Sequence, residues 1–481
     1  MGILPHPAGL LLYNFTVLVY IRDRFCKGAA SMSYTQQLSS RKYLWRLTWP
    51  LFIELFLYVL VGNVDQLMMS HYDENGVAAV GNGNQVINLL MLTLNVLCTA
   101  SVIMISQYRG AGQEEKARKI YSLALTTNFI LSMALSLFFL FGWEIVVTAM
   151  QVPEEIIPET KAYLQICGGS LWIIGLQVTF GAFLRAGQHM KESMVGAVAM
   201  NLINVLGNWL LIYGIGPFPS LGVSGAALSS VLSRVAALVI FLCFFRKHVG
   251  LSALSLKNLK PFPFGELKKL LGVGLPSAGE NFVYSLSQAV ILGFINTMGT
   301  YVITTRMYVS LFAQISFVFG SAVSQAMQVI AGRQFGARDQ EGAQKTINTG
   351  LTLALIAGIG VSTLLCIFGK PLVDIFTDDP RVIELGAAVL FVEIFLETGR
   401  AINMTFVRGL QAAGDVTYPM VQGMVTCWAI ATLFSWIFGI KLGWGLVGVW
   451  IAMAMDELTR GVLFIHRWKT GRWKGIDLVN K

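Results

Sequence analysis

The sequence predicts an all-α polytopic membrane protein: twelve transmembrane helices in two six-helix lobes related by a pseudo-two-fold axis along the membrane normal. Three observations carry that expectation. Of 481 residues, 55% are hydrophobic and 13% charged, too few charges to solvate a soluble surface. Nearly uncharged windows of about twenty residues recur, the length that crosses a ~30 Å hydrocarbon core. The second half also repeats the first: TWPLFIELFLY (48–58) returns as GLPSAGENFVY (274–284), and GAGQEEKARK (110–119) as GARDQEGAQK (336–345), both at an offset of 226. FLRAGQ (183–188) returns as FVRGLQ (406–411) and GVSGAA (222–227) as GLVGVW (445–450), both at 223.

In chain order, residues 1–43 form an N-terminal extension outside the bundle. Its apolar stretch AGLLLYNFTVLVYI (8–21) is short for a span and lacks a signal-peptide start and cleavage site. An interfacial segment, or an upstream extension with Met32 as the working start, fits it better than a thirteenth span. The N-lobe, 44–245, holds apolar windows near 45–71, 78–106, 119–149, 162–185, 193–215 and 222–245. A basic cytoplasmic linker follows at 246–266. The C-lobe, 267–468, holds windows near 267–297, 302–332, 345–376, 382–409, 416–440 and 445–466, and 469–481 is a tail. Six spans per half is an even number, so both copies enter the membrane in the same orientation, as in transporters built from parallel repeats.

Charge assigns the sides. Alternating spans place Arg41, Lys42, Arg46, Arg109, Lys116, Arg118, Lys119, Arg185, Lys191, the linker lysines, Arg333, Arg338, Lys345, Arg408 and the RWKTGRWK tail on one face. The other face has Lys161, Lys370, Arg381 and Lys441. The excess makes the basic face, and both termini, cytoplasmic, in an integral protein of the cell membrane. The net charge of +9 is therefore a topology signal and not a nucleic-acid footprint. The six cysteines are scattered without metal or disulfide spacing and read as small buried hydrophobes. The Gly-rich turns QYRGAGQEEKA and RQFGARDQEGA lack the GKS/T and preceding strand of a phosphate loop. No HExxH, CxxC or nucleotide motif occurs, so the expectation is not an enzyme, with no cofactor and no obligate protein partner.

Six segments in order resemble the multidrug and toxic compound extrusion (MATE) transporters from about Leu44 to Trp468. They are Pro50 with VDQLMMS, SQYRGAGQEEKA, FLRAGQ, NLINVLGNWLLIYG, SLGVSGAALSS and FVRGLQAAGD. The resemblance implies a twelve-helix antiporter that exports amphiphilic, often cationic small molecules in exchange for H⁺ or Na⁺. It also implies cation-linked carboxylates in the first span and, in the NorM-like branch, in the seventh and tenth. Two rivals stay open: a lipid-linked saccharide flippase of related plan, which would need a strongly cationic cavity, and an uncoupled channel or sensory protein.

The intramembrane polar residues give the candidate cation-coupling set: Asp65, Asn204, Asn208, Glu280, Glu397 and Glu393. Asp65 matches the family's first-span aspartate, and its helix runs outward, placing it past the midplane. A carboxylate there must be neutral, paired or bound to a cation; the alternative is a structural Asp bonded to a neighbouring helix. Asn204 and Asn208 share a face one turn apart and could meet Asp65 or supply oxygens to Na⁺, with Asn201 on roughly the same face. They could equally be interhelical packing groups. Some relatives carry an aspartate at the position of Asn208. Glu397, eleven residues before Arg408, resembles the tenth-span acid; Glu393, Glu397 and Arg400 form a same-face row. The alternative is a structural Glu397–Arg400 pair. Glu280 stands one turn before the expected seventh-span acid, where this chain has Tyr284, and its repeat mate Glu54 is ambiguous. Asp456 and Arg460 read as a structural ion pair, and Arg234 and Arg306 as counter-ions to these acids. Met68, Met69, Tyr284, Met404 and Tyr308, with Met91, Phe312, Phe319 and Trp172, are candidates for a greasy substrate cavity. No metal site is expected beyond Na⁺ at the coupling residues.

Overall fold

A computed structural model describes residues 40–476, 478 and 479. The expectations for residues 1–39 lie outside the described residues, and the last three residues of the expected extension, Arg41 to Tyr43, already belong to the first helix. Twelve long helical segments follow in order: α1 Arg41–Ser70, α2 Glu74–Gly110, α3 Glu114–Phe141, α4 Leu171–Ala186, α5 Met190–Tyr213 and α6 Gly222–His248. Their counterparts are α7 Phe264–Asn296, α8 Thr300–Gly336, α9 Gln340–Ile367, α10 Pro380–Ala413, α11 Thr417–Lys441 and α12 Gly445–Lys469.

Eight of these are long and apolar enough to cross a membrane by composition. α4 becomes a ninth when joined to Glu154–Gly168, across a bend of 46°. The remaining three are of spanning length: α10 and α12 carry more charge through their centres, and α7 is less apolar. All three lie in the C-lobe. α11 departs from regular α-geometry: π-type turns at Cys427–Thr432 and Ser435–Lys441 interrupt it. Such bulges free backbone groups inside a span, and Thr432 Oγ1 answers one by donating to the Cys427 carbonyl at 3.1 Å.

Between the lobes, α2 packs on α8, α1 on α8 and α2 on α7. This is the set a two-fold axis requires, because exchanging α1 with α7 and α2 with α8 maps it onto itself. The contacts concentrate toward the basic face. There one apolar cluster joins Tyr108, Ile120 and Phe245 to Leu270, Val273 and Val416, and another joins Leu44, Leu47 and Leu51 to Ala326, Ile330 and Phe464. Toward the opposite face the clusters separate: one is built on Met69, Ile87 and Ile212, the other on Ile291, Val309 and Leu446. The lobes are joined by shared apolar clusters on the basic face, and each has a cluster of its own toward the other.

Two glycines make the closure tight. A Cβ on Gly110 would overlap the Arg333 carbonyl, and one on Gly336 would overlap the Gln107 carbonyl. These are repeat-equivalent contacts, formed reciprocally across the axis. The segment between α6 and α7 docks on α3, where Ser122 Oγ donates to the Ala253 carbonyl at 2.8 Å and the Asn258 amide donates to Ser122 Oγ at 3.0 Å.

Candidate functional site

Asp65 sits five residues before the end of α1, facing α5 and α6 in the outer half of the N-lobe, and it is buried. Asn208 Nδ2 of α5 donates to its Oδ1 at 2.6 Å, and Ser230 Oγ of α6 donates to its Oδ2 at 3.1 Å. One turn before Asn208, Asn204 Nδ2 donates to Ser230 Oγ at 3.2 Å. The predicted trio therefore meets. Ser230 completes it, a residue that sequence reasoning missed because serine in an SSVLS run resembles ordinary helix packing. The Oδ1 atoms of Asn204 and Asn208 are buried and accept no hydrogen bond. Asn201 does not join; its amide turns back to the Ala197 carbonyl at 2.9 Å.

The C-lobe carboxylates are bound differently. The Arg400 guanidinium clamps Glu397 and approaches Glu393 at 3.7 Å. Ser316 Oγ donates to Glu397 Oε2 at 2.5 Å, and Trp450 Nε1 donates to Glu393 Oε2 at 2.7 Å. A neighbouring cluster on α12 pairs Arg460 with Asp456 and, at 3.7 Å, with Glu457, which also accepts from Asn403 Nδ2 at 2.6 Å. The i,i+4 pair was legible in the sequence. Ser316, Trp450, Asn403 and Glu457 were not, since they arrive from other helices or from the far side of a turn.

A comparison of repeat mates separates Glu54 from Glu280. Glu54 is fully buried and takes Arg185 Nη1 at 2.7 Å. Arg185 is thus half of a buried pair and not the loop charge that the side-counting assumed: α4 ends at Ala186, and its last turn faces α1. The C-lobe equivalents are Glu280 and Arg408. Neither forms an ion pair within 4.0 Å among the described residues, and Arg408 Nη1 donates instead to Gln411 Oε1 at 3.3 Å. Arg234 and Arg306 also find no carboxylate within that distance. They are not in direct contact with an acid, the close partners being Arg185, Arg400 and Arg460, and Arg234 acts on Asp65 only across a distance.

Among the buried carboxylates described, Glu54, Glu393, Glu397, Asp415, Asp456 and Glu457 each lie within 4.0 Å of an arginine, and Asp65 alone does not. A carboxylate held only by neutral donors, beside two unused amide oxygens, can exchange a proton or a hard cation without breaking an ion pair.

The proposed cavity residues do not gather. Met69 is fully buried in the N-lobe core against Gly76, so it is packing and not a cavity wall. Met68 and Met91 lean on the same core cluster. Tyr308 stacks on Phe376 at 5.2 Å, with Phe312 edge-on to the same ring, which ties both to the connection before α10. Phe319 packs against Trp45 and Phe52 in the lobe seam. The Trp172 backbone N–H donates to Ser136 Oγ. Tyr284 lies under the Arg460 guanidinium at 5.7 Å, and Met404 is half-buried one turn after Arg400. A cavity of about 640 Å³ lies at the basic face around the Asp415–Arg467 pair, remote from Asp65 in the opposite half.

A family model described as MatE matches residues 50–210 and 276–437, one stretch in each lobe. The chain is 36% identical over 430 residues to an uncharacterized transporter, YisQ, of Bacillus subtilis, covering 89% of this chain and 94% of that one. It is 26% identical over 441 residues to a probable multidrug resistance protein NorM of Thermotoga maritima, covering 90% and 93%. Among solved structures it superposes on MATE in a bent conformation with a TM-score of 0.84 at 20% identity, covering 92% of this chain and 99% of that one. An outward-facing multidrug resistance MATE transporter of the MOP superfamily matches with a TM-score of 0.82 at 20% identity, covering 94% and 99%. These last two likenesses concern the fold.

Proposed function

The chain belongs to the MatE family of membrane transporters, and on that premise we propose that it is a secondary-active multidrug efflux antiporter. It exports amphiphilic, often cationic compounds in exchange for H⁺ or Na⁺. The observation that carries the reading is Asp65: buried, without an arginine partner, and ringed by Asn208, Ser230 and Asn204. A bare charge there loses several kcal/mol of hydration. Asp65 therefore favours a state in which a proton or Na⁺ offsets it. Na⁺ would be met by the Asp65 carboxylate, the hydroxyl of Ser230 and the amide oxygens of Asn204 and Asn208. A proton would be shared with an amide oxygen after a flip of the Asn208 side chain.

Coupling requires each ligand to favour a different conformation. The lobes have separate apolar clusters toward the face opposite the basic one, which the positive-inside rule makes extracellular, and on this reading the coupling cation reaches Asp65 from outside. Cation binding draws α1, α5 and α6 together, changes the outer cleft and releases the substrate. Glu280, with no ion pair, is the C-lobe residue best placed to take part; Glu393 and Glu397 respond through Arg400. The relatives named as multidrug resistance proteins support the substrate class.

A second reading, the flippase for lipid-linked saccharides, draws on one observation: the span charges without ion pairs include three arginines, Arg234, Arg306 and Arg408, against Asp65 and Glu280. Reconstituted protein decides between them. Ethidium-type dye efflux is measured under a pure ΔpH and then a pure ΔNa⁺, for wild type, Asp65→Asn, Glu280→Gln and Glu397→Gln. Asp65→Asn is expected to lose gradient-driven efflux. Wild-type rates in all three variants would remove the coupling assignment, and wild type that ignores the dye while moving a lipid-linked saccharide would replace the antiporter reading.

A further inference from the structure

We propose that the N-lobe carries a site for a divalent transition metal of the zinc class on its basic face, formed by His189, Glu192 and His248. The three come from different places in the chain: the turn after α4, the first turn of α5 and the last residue of α6. Their ligand atoms all lie within 4.8 Å of one another. His248 Nε2 stands 3.3 Å and His189 Nδ1 3.9 Å from the same Glu192 oxygen. Zinc binds nitrogen at about 2.0–2.1 Å and carboxylate oxygen at about 2.0–2.2 Å, so tetrahedral ligand edges run a little over 3 Å. Of the three edges, His248–Glu192 has that length already, His189–Glu192 needs a shift of well under 1 Å, and the two imidazole nitrogens, within 4.8 Å of each other, close by a ring rotation.

The two imidazoles stack with centroids 4.0 Å apart and Phe244 lies 6.5 Å beyond His248, so one histidine ring turns about its side-chain torsions to bring its in-plane lone pair onto an ion that the other ring meets. His248 Nε2 is buried, and its one polar neighbour is the Glu192 carboxylate at 3.3 Å, a contact that is not a well-formed hydrogen bond. Two histidines and a glutamate are a donor set that zinc accepts with a water in the fourth position. All three side chains are about one-quarter exposed, which leaves a path for the ion.

The location gives the site a consequence. Gln188, next to His189, has φ +67° and accepts from Tyr43 of α1 at 2.9 Å and from Arg333 of α8 at 3.1 Å. It thus bridges the closed seam between the lobes. A metal on His189 would brace the turn that presents Gln188 and stabilise the closed basic face.

The test uses the full-length chain purified in detergent with any affinity tag removed. Co²⁺ is titrated and read by its visible d–d absorption, with Zn²⁺ competition. The expected result is one tightly held ion per chain with a tetrahedral spectrum. Affinity should fall at least tenfold in each of His189→Ala, Glu192→Gln and His248→Ala, and Zn²⁺ should raise the unfolding temperature of wild type but not of the triple variant. Size-exclusion behaviour matching wild type confirms that each variant folds. Absence of a saturable spectrum in wild type, or an unchanged one in the triple variant, overturns the proposal.

Discussion

Replacing Gly110 and Gly336 by alanine tests whether the basic face is one side of a two-state gate. The structure sets the size of the perturbation. A Cβ on Gly110 would lie 2.8 Å from the Arg333 carbonyl carbon and 3.0 Å from its Cα; a Cβ on Gly336 would lie 2.7 Å and 2.9 Å from the same atoms of Gln107. The carbonyl oxygens are nearer still in both cases, where carbon and oxygen pack at about 3.3–3.6 Å, so α2 and α8 must part by more than about 1 Å at each contact. Backbone cannot rotate aside as a side chain can, and overpacking of this kind costs about 1–3 kcal/mol. If the lobes separate there in the alternate state, the penalty falls on the closed state alone and shifts the ratio roughly 5- to 150-fold toward opening. The assay is a spin-label distance between Arg118→Cys and Lys345→Cys, both exposed, in a background without the native cysteines. Each alanine should broaden the distribution toward longer distances, and the pair should shift it further while slowing dye efflux. An unchanged distribution in a monodisperse double variant would show that the seam does not open and that the reasoning is wrong.

Other outcomes follow from the ion pairs. Arg185→Leu strands the fully buried Glu54 and should reduce stability by about 3–5 kcal/mol, seen as a lower unfolding temperature in detergent; Glu54→Gln in the same chain should recover part of it. Trp450→Phe removes the indole donor from Glu393 and should cost about 1–3 kcal/mol without ending gradient-driven efflux, which a transport assay beside the melting curve checks. Asn208→Asp sets a second carboxylate beside Asp65, whose oxygen lies 2.6 Å from the Asn208 amide. In a Na⁺-driven assay the half-saturating Na⁺ concentration should fall about tenfold or more; no change would place the cation elsewhere.

Much of the Asp65 cluster could be read in advance because its members obey helix periodicity. Asn204 and Asn208 are one turn apart, and a lone aspartate in VLVGNVDQLMMS stands out against its neighbours. Ser230 could not be singled out, since its meaning depends on α6 facing α1. The same limit explains the errors. Met69 has the composition of a cavity wall, but rotation about the helix axis decides what it touches, and it is buried against Gly76. Arg185 was counted as a loop charge because sequence position does not show that a long side chain reaches back to Glu54. The His189, Glu192 and His248 cluster was invisible for a further reason: its third member comes 56 residues after the second.

The sequence alone determined the class, the spans, the duplication and the presence of acids in apolar surroundings. These follow from hydropathy and register, which are properties of neighbouring residues. Only the tertiary structure decided which acid is free, because pairing an arginine with a carboxylate is a contact between helices. The duplicated sequence shows Glu54 and Glu280 as equivalents, and Arg185 and Arg408 likewise. The fold joins one pair at 2.7 Å and leaves the other apart, a difference of packing geometry that no repeat in the sequence records.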